Sequence, residues 1–369
     1  MSTHLRRYFF RALLCTVAAT GVPAGALAQV IEFKLPPPPP PAPATEEPAA
    51  PTELTPREPA ATDAPPSPAA PAPASPNTAA PAAAATPVTS WLEAQIALAR
   101  EGFSAGPIDG VGGAQSAAAL RAYQASRALP ATGVLDAATR AWLGLATPPF
   151  TQLVLTADDL ARLQPLDPTW LGKSQQSALD YETALELVAE RAHASPNLIR
   201  RLNPGFDWSQ PAAGATLTVP AVGKLPKKKK TARLLVQLAA RVLEAFDAEG
   251  GMIAHFPVSI ASRVDKRPVG ELHVTVVAPN PNYTFDPAVF PESEEARSLG
   301  RKLILPPGPN NPVGLAWIGL DLPGYGIHGT PKPEQVGRTE SHGCFRLANW
   351  DALTLLDLAW VGLPVVVEP

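Results

Sequence analysis

The chain has 369 residues, 46 of them proline, with a formal net charge of −3 and two cysteines. That length accommodates two or three domains, clustered prolines mark a linker rather than a core, and the weak acidity gives no reason to expect nucleic acid as a partner. Two cysteines allow one disulfide at most, so their positions decide whether either is free.

The first 28 residues have the pattern of a secretory signal. Arg6, Arg7 and Arg11 precede a short apolar run from Ala12 to Ala19, and Ala26-Leu27-Ala28 places small residues at the cleavage positions. The run is shorter than the about 20 residues a membrane span needs, so no span is expected after cleavage. Leu14 is too bulky for a lipoprotein site at Cys15. Cys15 is therefore expected to leave with the signal, and Cys344 to remain alone in an oxidising, exported compartment. An unpaired thiol there is a liability unless it has a task.

Residues 29–88 are rich in Pro and Ala and open with the unbroken run Pro36 to Pro41. Such a segment buries too little apolar surface to fold, and about 50 extended residues reach on the order of 150 Å. It is expected to be a disordered spacer.

A folded unit is expected over 89–146. Trp91, Gln95, Leu98 and Ala99 share a helical face; Ala117 to Ser126 and Ala137 to Leu143 continue the helical pattern, the last opened by Asp136 as N-cap. Gly102-Phe103, Gly106-Pro107-Ile108-Asp109-Gly110, Tyr123-Gln124 and Thr132-Gly133-Val134-Leu135-Asp136 resemble the small all-α peptidoglycan-binding domain. Over 178–222, helical patterns at Tyr181 to Arg191 and Ser195 to Leu202 precede a strand at Leu217 to Pro220. This order resembles an α+β LysM module, which implies a βααβ fold and glycan binding. Tyr181-Glu182-Thr183 stands where that family has Gly-Asp-Thr. The linker 223–231 carries Lys227 to Lys230, read as a solvated charge block.

From 232 to 369 the pattern turns to strands: Arg233 to Leu238, Arg241 to Phe246, Met252 to Ile260, Gly270 to Val277, Leu303 to Leu305, Leu315 to Leu320 and Pro364 to Val367. One helix fits between Asn349 and Val361. A Pro/Asn-rich excursion from Pro279 to Pro312 is long enough to be functional. The expected architecture is a mainly-β sandwich or barrel. His255 and His273 read as ordinary sheet residues, and Trp317, Tyr325 and Trp350 as core or pocket wall.

Near the end, Ile327-His328-Gly329-Thr330 is followed by Glu340-Ser341-His342-Gly343-Cys344-Phe345-Arg346. A thiol with a nearby imidazole fits nucleophilic catalysis. His328, His342 and Cys344 also fit a metal site, but a fourth ligand is not apparent, and no metal or cofactor is expected. His328-Gly329-Thr330, Ser341-His342-Gly343-Cys344, Arg346-Leu347 and Asn349-Trp350-Asp351 resemble the L,D-transpeptidase (YkuD) family. The resemblance implies Cys344 as nucleophile and His328 as general base, oriented by a carbonyl such as that of Gly329. His342 shapes the site, and the N–H groups of His342, Gly343 and Cys344 form the oxyanion hole. Arg346, with Ser341, Gly329, Thr330 and Asn349, is assigned to substrate binding.

The implied reaction is acyl transfer on peptidoglycan tetrapeptide stems through a thioester. A neighbouring stem, an outer-membrane lipoprotein or a free D-amino acid accepts the acyl group. The rivals are a wall-binding scaffold and a related cysteine hydrolase.

Overall fold

The computed structural model describes residues 85–223, 230–290, 292–339 and 343–369. The signal pattern, Cys15, the proline-rich spacer, Lys227 to Lys229, Ser341 and His342 lie outside the described residues.

The first unit is three helices: α1 (Trp91–Glu101), α2 (Ala114–Ser126) and α3 (Ala137–Trp142). Ser90 and Asp136 accept the N–H of Glu93 and Thr139, closing the open donors of α1 and α3. Leu98, Phe103, Leu120, Tyr123 and Leu143 form its core.

The second unit runs from β1 (Phe150–Val154) to β2 (Thr216–Pro220), which pair antiparallel. Between them lie α4 (Ala157–Ala161), α5 (Trp170–Gln175), α6 (Ala184–Arg191) and α7 (Pro196–Leu202). Pro196 occupies the first turn of α7, where its missing N–H costs nothing. The unit therefore begins at Phe150 and not at 178. β1 is largely solvent-facing, so it carries little apolar alternation, and its partner strand is far downstream.

The third unit contains an eight-stranded sheet in the order β11-β10-β9-β6-β12-β3-β4-β5. These strands are β3 (Arg233–Gln237), β4 (Val242–Phe246), β5 (Met252–Pro257), β6 (Gly270–Pro279), β9 (Ala316–Leu320), β10 (Gly326–His328), β11 (Phe345–Arg346) and β12 (Pro364–Glu368). Just past β5, Ser259 exchanges two backbone hydrogen bonds with Arg346 of β11, at 2.9 and 3.0 Å. The two edges of the sheet thus meet, and the expected barrel-like form is one curled sheet. Leu234, Phe256, Ile318, Phe345 and Val365 share its core with Leu355 of α9 (Asn349–Leu358). The excursion from Pro279 is not structureless: it holds the hairpin β7 (Tyr283–Phe285) and β8 (Leu303–Leu305), with α8 (Glu294–Leu299) between them.

The three units are packed on one another. Phe103 bridges His255 beside the β5 edge, with Ser104 N–H donating to the His255 carbonyl at 2.8 Å. Ile108 bridges Ala194, joining the first unit to the second. Leu179 of the second unit exchanges backbone hydrogen bonds with Pro307 and Asn310 of the excursion, both 2.9 Å.

Candidate active site

β10 and β11 run parallel, with Ile327 beside Phe345 and His328 beside Arg346. Residues paired this way project to the same face, and Cys344 precedes β11 by one residue. One short sheet edge thus brings together three of the residues that the sequence singled out. On the other side of His328, Trp317 of β9 pairs with it and stacks on its ring with centroids 5.8 Å apart, and belongs to the apolar cluster against which Cys344 packs.

His328 is buried, and its Nδ1 lies 2.6 Å from the Gly329 carbonyl oxygen. A carbonyl only accepts, so Nδ1 carries the proton and Nε2 keeps the basic lone pair. Burial drives the imidazole down from its ordinary 6.5 to about 4, with a further push from the Arg346 charge. It is neutral, and thus a competent base, at neutral pH. Cys344 is half-buried, and its thiol donates to the Gly324 carbonyl at 3.5 Å. Burial raises the thiol to about 11, against which a hydrogen bond to the Gly326 backbone and the Arg346 charge act. The resting pair is a neutral thiol and a neutral imidazole.

Arg346 is held by its backbone pairing to Ser259 and by its place in β11. Its charge opposes an imidazolium and favours a thiolate. Tyr283 and Tyr325 flank the thiol: burial raises both phenols, and the Cys344 charge raises them further. The Tyr325 ring also lies beside Gly343, in ordinary contact distance of where a Cβ would stand.

Asn349 is a correction. Its side chain has no exposed surface: Oδ1 accepts from Leu315 N–H at 3.1 Å, and Nδ2 donates to Glu190 at 2.9 Å and to the Pro309 carbonyl at 3.1 Å. With all these partners inside the protein, the amide presents no exposed surface to a ligand and lies against the Gly329 backbone. Thr330 is also buried, accepting from Lys332 N–H, and Gly329 contributes its carbonyl to His328 rather than to a ligand. Ser341 and His342 fall outside the described residues. Tyr283, Glu190 and His193 were not singled out by the sequence; an aromatic residue inside the Pro/Asn-rich excursion was the available signal for Tyr283.

A thiol, a correctly protonated imidazole and an arginine on the closing edge of a curled sheet are the equipment of a cysteine acyltransferase. Residues 231–367 match the family of the L,D-transpeptidase catalytic domain, YkuD, and residues 89–143 match the family described as "Putative peptidoglycan binding domain". Relatives include "Putative L,D-transpeptidase YkuD" of Bacillus licheniformis, 25% identical over 50% of this chain and 93% of the relative. A second is "Putative L,D-transpeptidase in ATP synthase subunits region ORF 5" of Fuscovulum blasticum, 31% identical over 36% of this chain and 68% of the relative. A third is "Probable L,D-transpeptidase ErfK/SrfK" of Escherichia coli, 29% identical over 59% of this chain and 71% of the relative. The chain belongs to the L,D-transpeptidase (YkuD) family and carries, in front of the catalytic domain, a peptidoglycan-binding domain.

Proposed function

We propose that Cys344 is the acyl-carrying nucleophile of this L,D-transpeptidase and His328 its general base and acid. The observation that carries this reading is the Nδ1–H of His328 fixed on the Gly329 carbonyl, which leaves Nε2 as the basic nitrogen beside the thiol's strand. Cys344 Sγ adds to the carbonyl between the third and fourth residues of a tetrapeptide stem, and its proton passes to His328 Nε2. Collapse of the tetrahedral intermediate breaks the amide bond; the leaving D-residue takes that proton as its amine. The acceptor amine then attacks the thioester, gives its proton to His328, and the thiol is restored.

The N–H groups of Gly343 and Cys344 are the oxyanion donors in this reading, with that of His342. Arg346 binds a substrate carboxylate through its planar fork. Its charge also draws the Cys344 proton off at the moment of attack. The reaction requires no cofactor.

The acceptor is a neighbouring stem, giving a 3→3 cross-link, with a lipoprotein amine or a free D-amino acid as alternatives. The βααβ arrangement of β1, α6, α7 and β2 supports a LysM-like unit that adds a second glycan contact to the first unit's. Among the described residues no helix is long and apolar enough to cross a membrane. The N-terminal signal pattern supports an enzyme exported to the periplasm, and the first unit supports one held on the wall.

Purified protein incubated with disaccharide-tetrapeptides, read by mass spectrometry, tests the proposal. The expected products are stems lacking the fourth residue, joined to an amine acceptor, and none from Cys344→Ala. Products from Cys344→Ala at the wild-type rate would overturn the nucleophile assignment. Products terminated by water alone would favour a hydrolase.

A further inference from the structure

Three consecutive residues at the start of α9 are each held by a side chain from upstream of the catalytic domain. Asn349 donates to Glu190 Oε2 at 2.9 Å, the Trp350 ring stacks on His193 with centroids 5.4 Å apart, and Asp351 Oδ2 accepts from Ser104 Oγ at 3.0 Å. Of the three, only Asn349 leads on to the catalytic histidine. A Cβ built on Gly329 would stand 2.2 Å from Asn349 Oδ1, so the amide lies directly against that glycine's backbone. The Gly329 carbonyl is the group that holds His328 Nδ1.

The amide of Asn349 has a donor end and an acceptor end of nearly equal size, so its partners decide which way it points. Glu190 and the Pro309 carbonyl take the NH₂ end. Oδ1 is thereby turned toward Leu315 N–H and Gly329. Glu190 is itself aimed by the Tyr181 hydroxyl, which donates to its other oxygen at 3.1 Å. Both groups touching the carboxyl are donors, so what this position must supply is an acceptor facing Asn349.

We propose that Glu190, contributed by the second unit, is a positioning residue for acyl transfer. It fixes the Asn349 amide, and through the Gly329 backbone it keeps His328 in the orientation and tautomer that catalysis needs. The inference rests on the reading of His328 as the base. It makes the second unit part of the catalytic apparatus, whether or not that unit also holds glycan.

Full-length Glu190→Ala and Glu190→Met, the latter keeping length without an acceptor, are compared with Glu190→Gln, which retains one. Ser104→Ala breaks a neighbouring tie to α9 that does not reach His328. The readouts are kcat and KM on tetrapeptide stems and the rate at which a carbapenem acylates Cys344, followed by intact mass. By analogy with residues that orient ligands from one layer out, kcat and acylation should fall about tenfold in the folded Ala or Met variant with KM nearly unchanged. Gln should restore most of the loss, and Ser104→Ala should keep wild-type kcat.

Ala and Met variants with wild-type kcat, or a loss that Gln fails to restore, would overturn the proposal while leaving the roles of Cys344 and His328 intact. Wild-type acylation in His328→Ala would remove both. If neither the Ala nor the Met variant folds, Gln decides alone: wild-type kcat in that variant supports the acceptor role, and a tenfold loss contradicts it.

Discussion

At the scale of the residue, the proposed site is a buried neutral imidazole and a hard-to-ionise thiol, both acted on by the Arg346 charge. The folded value of His328, about 4, lies below its ordinary 6.5, so the imidazole is already neutral at pH 6 and acquires its proton only as pH falls toward 4. Acylation of Cys344 by a carbapenem should therefore be level through neutral pH and fall below about pH 5, as protonation removes the base. His328→Ala should slow the same step by about 10²–10⁴-fold. Alkylation by iodoacetamide responds to thiolate alone. With the thiol at about 11, its rate should climb roughly tenfold per pH unit from pH 6 to 9. A plateau at neutral pH would instead mean that the pair rests as thiolate and imidazolium, and the neutral-pair description would fail.

At the scale of the element, the hairpin that carries Tyr283 to the thiol is braced from outside the catalytic domain. Trp170 of α5 stacks on Phe285 of β7 with centroids 4.4 Å apart, and Leu171 N–H donates to Glu295 of α8 at 3.0 Å. Gly308 has a φ of +144°, and a Cβ there would stand 2.2 Å from the Leu179 carbonyl oxygen. Both the backbone angle and the close approach demand glycine. Gly308→Ala should release the hairpin from the second unit, exposing residues 283–305 to faster hydrogen exchange and raising KM. Unchanged exchange across that segment would show that the brace does not depend on this contact. α9 is braced similarly, through Asn349, Trp350 and Asp351.

At the scale of the whole molecule, the junction between units buries ionisable groups. Burial raises Asp351 to about 8 and Glu190 to about 7, each partly offset by its hydrogen-bond partners. In both, the folded state holds a proton that the unfolded chain has released, so stability falls as pH rises from the ordinary carboxyl range to the folded value. His193 and His328 are lowered to about 4, so they act oppositely, adding stability as pH rises from 4 to 6.5. The two pairs offset one another in the acid range, and above pH 6.5 the carboxyls act alone. Tm should therefore decline between about pH 6.5 and 8, and Asp351→Asn should flatten that decline; a wild-type Tm that rises across this window would contradict the burial described. Ser104→Ala leaves the Asp351 carboxyl without its hydroxyl partner and should cost about 1–3 kcal/mol in denaturant unfolding. Because all three units share this junction, calorimetry should give one cooperative transition and not three.

What the sequence settles is chemistry and local form. The residues from His328 to Arg346 spell the proposed reactive group, helical periodicity and Asp136 as N-cap mark the first unit, and most strands of the large sheet show as short apolar runs between turn residues, with alternation in Gly270 to Val277. These signals are legible because each depends on neighbours a few positions apart. Other features depend on partners remote in the chain: the pairing of β1 with β2, the closing bridge from Ser259 to Arg346, the stacking of Trp317 on His328, and the contact of Glu190 with Asn349. Asn349 shows the difference most directly. Its place in the motif suggests a substrate contact, but the amide is enclosed by Leu315, Pro309 and Glu190, three groups that only the folded chain brings together. A residue type says what bonds it can make. Which of those bonds face solvent, and so remain for a substrate, is decided when distant segments pack.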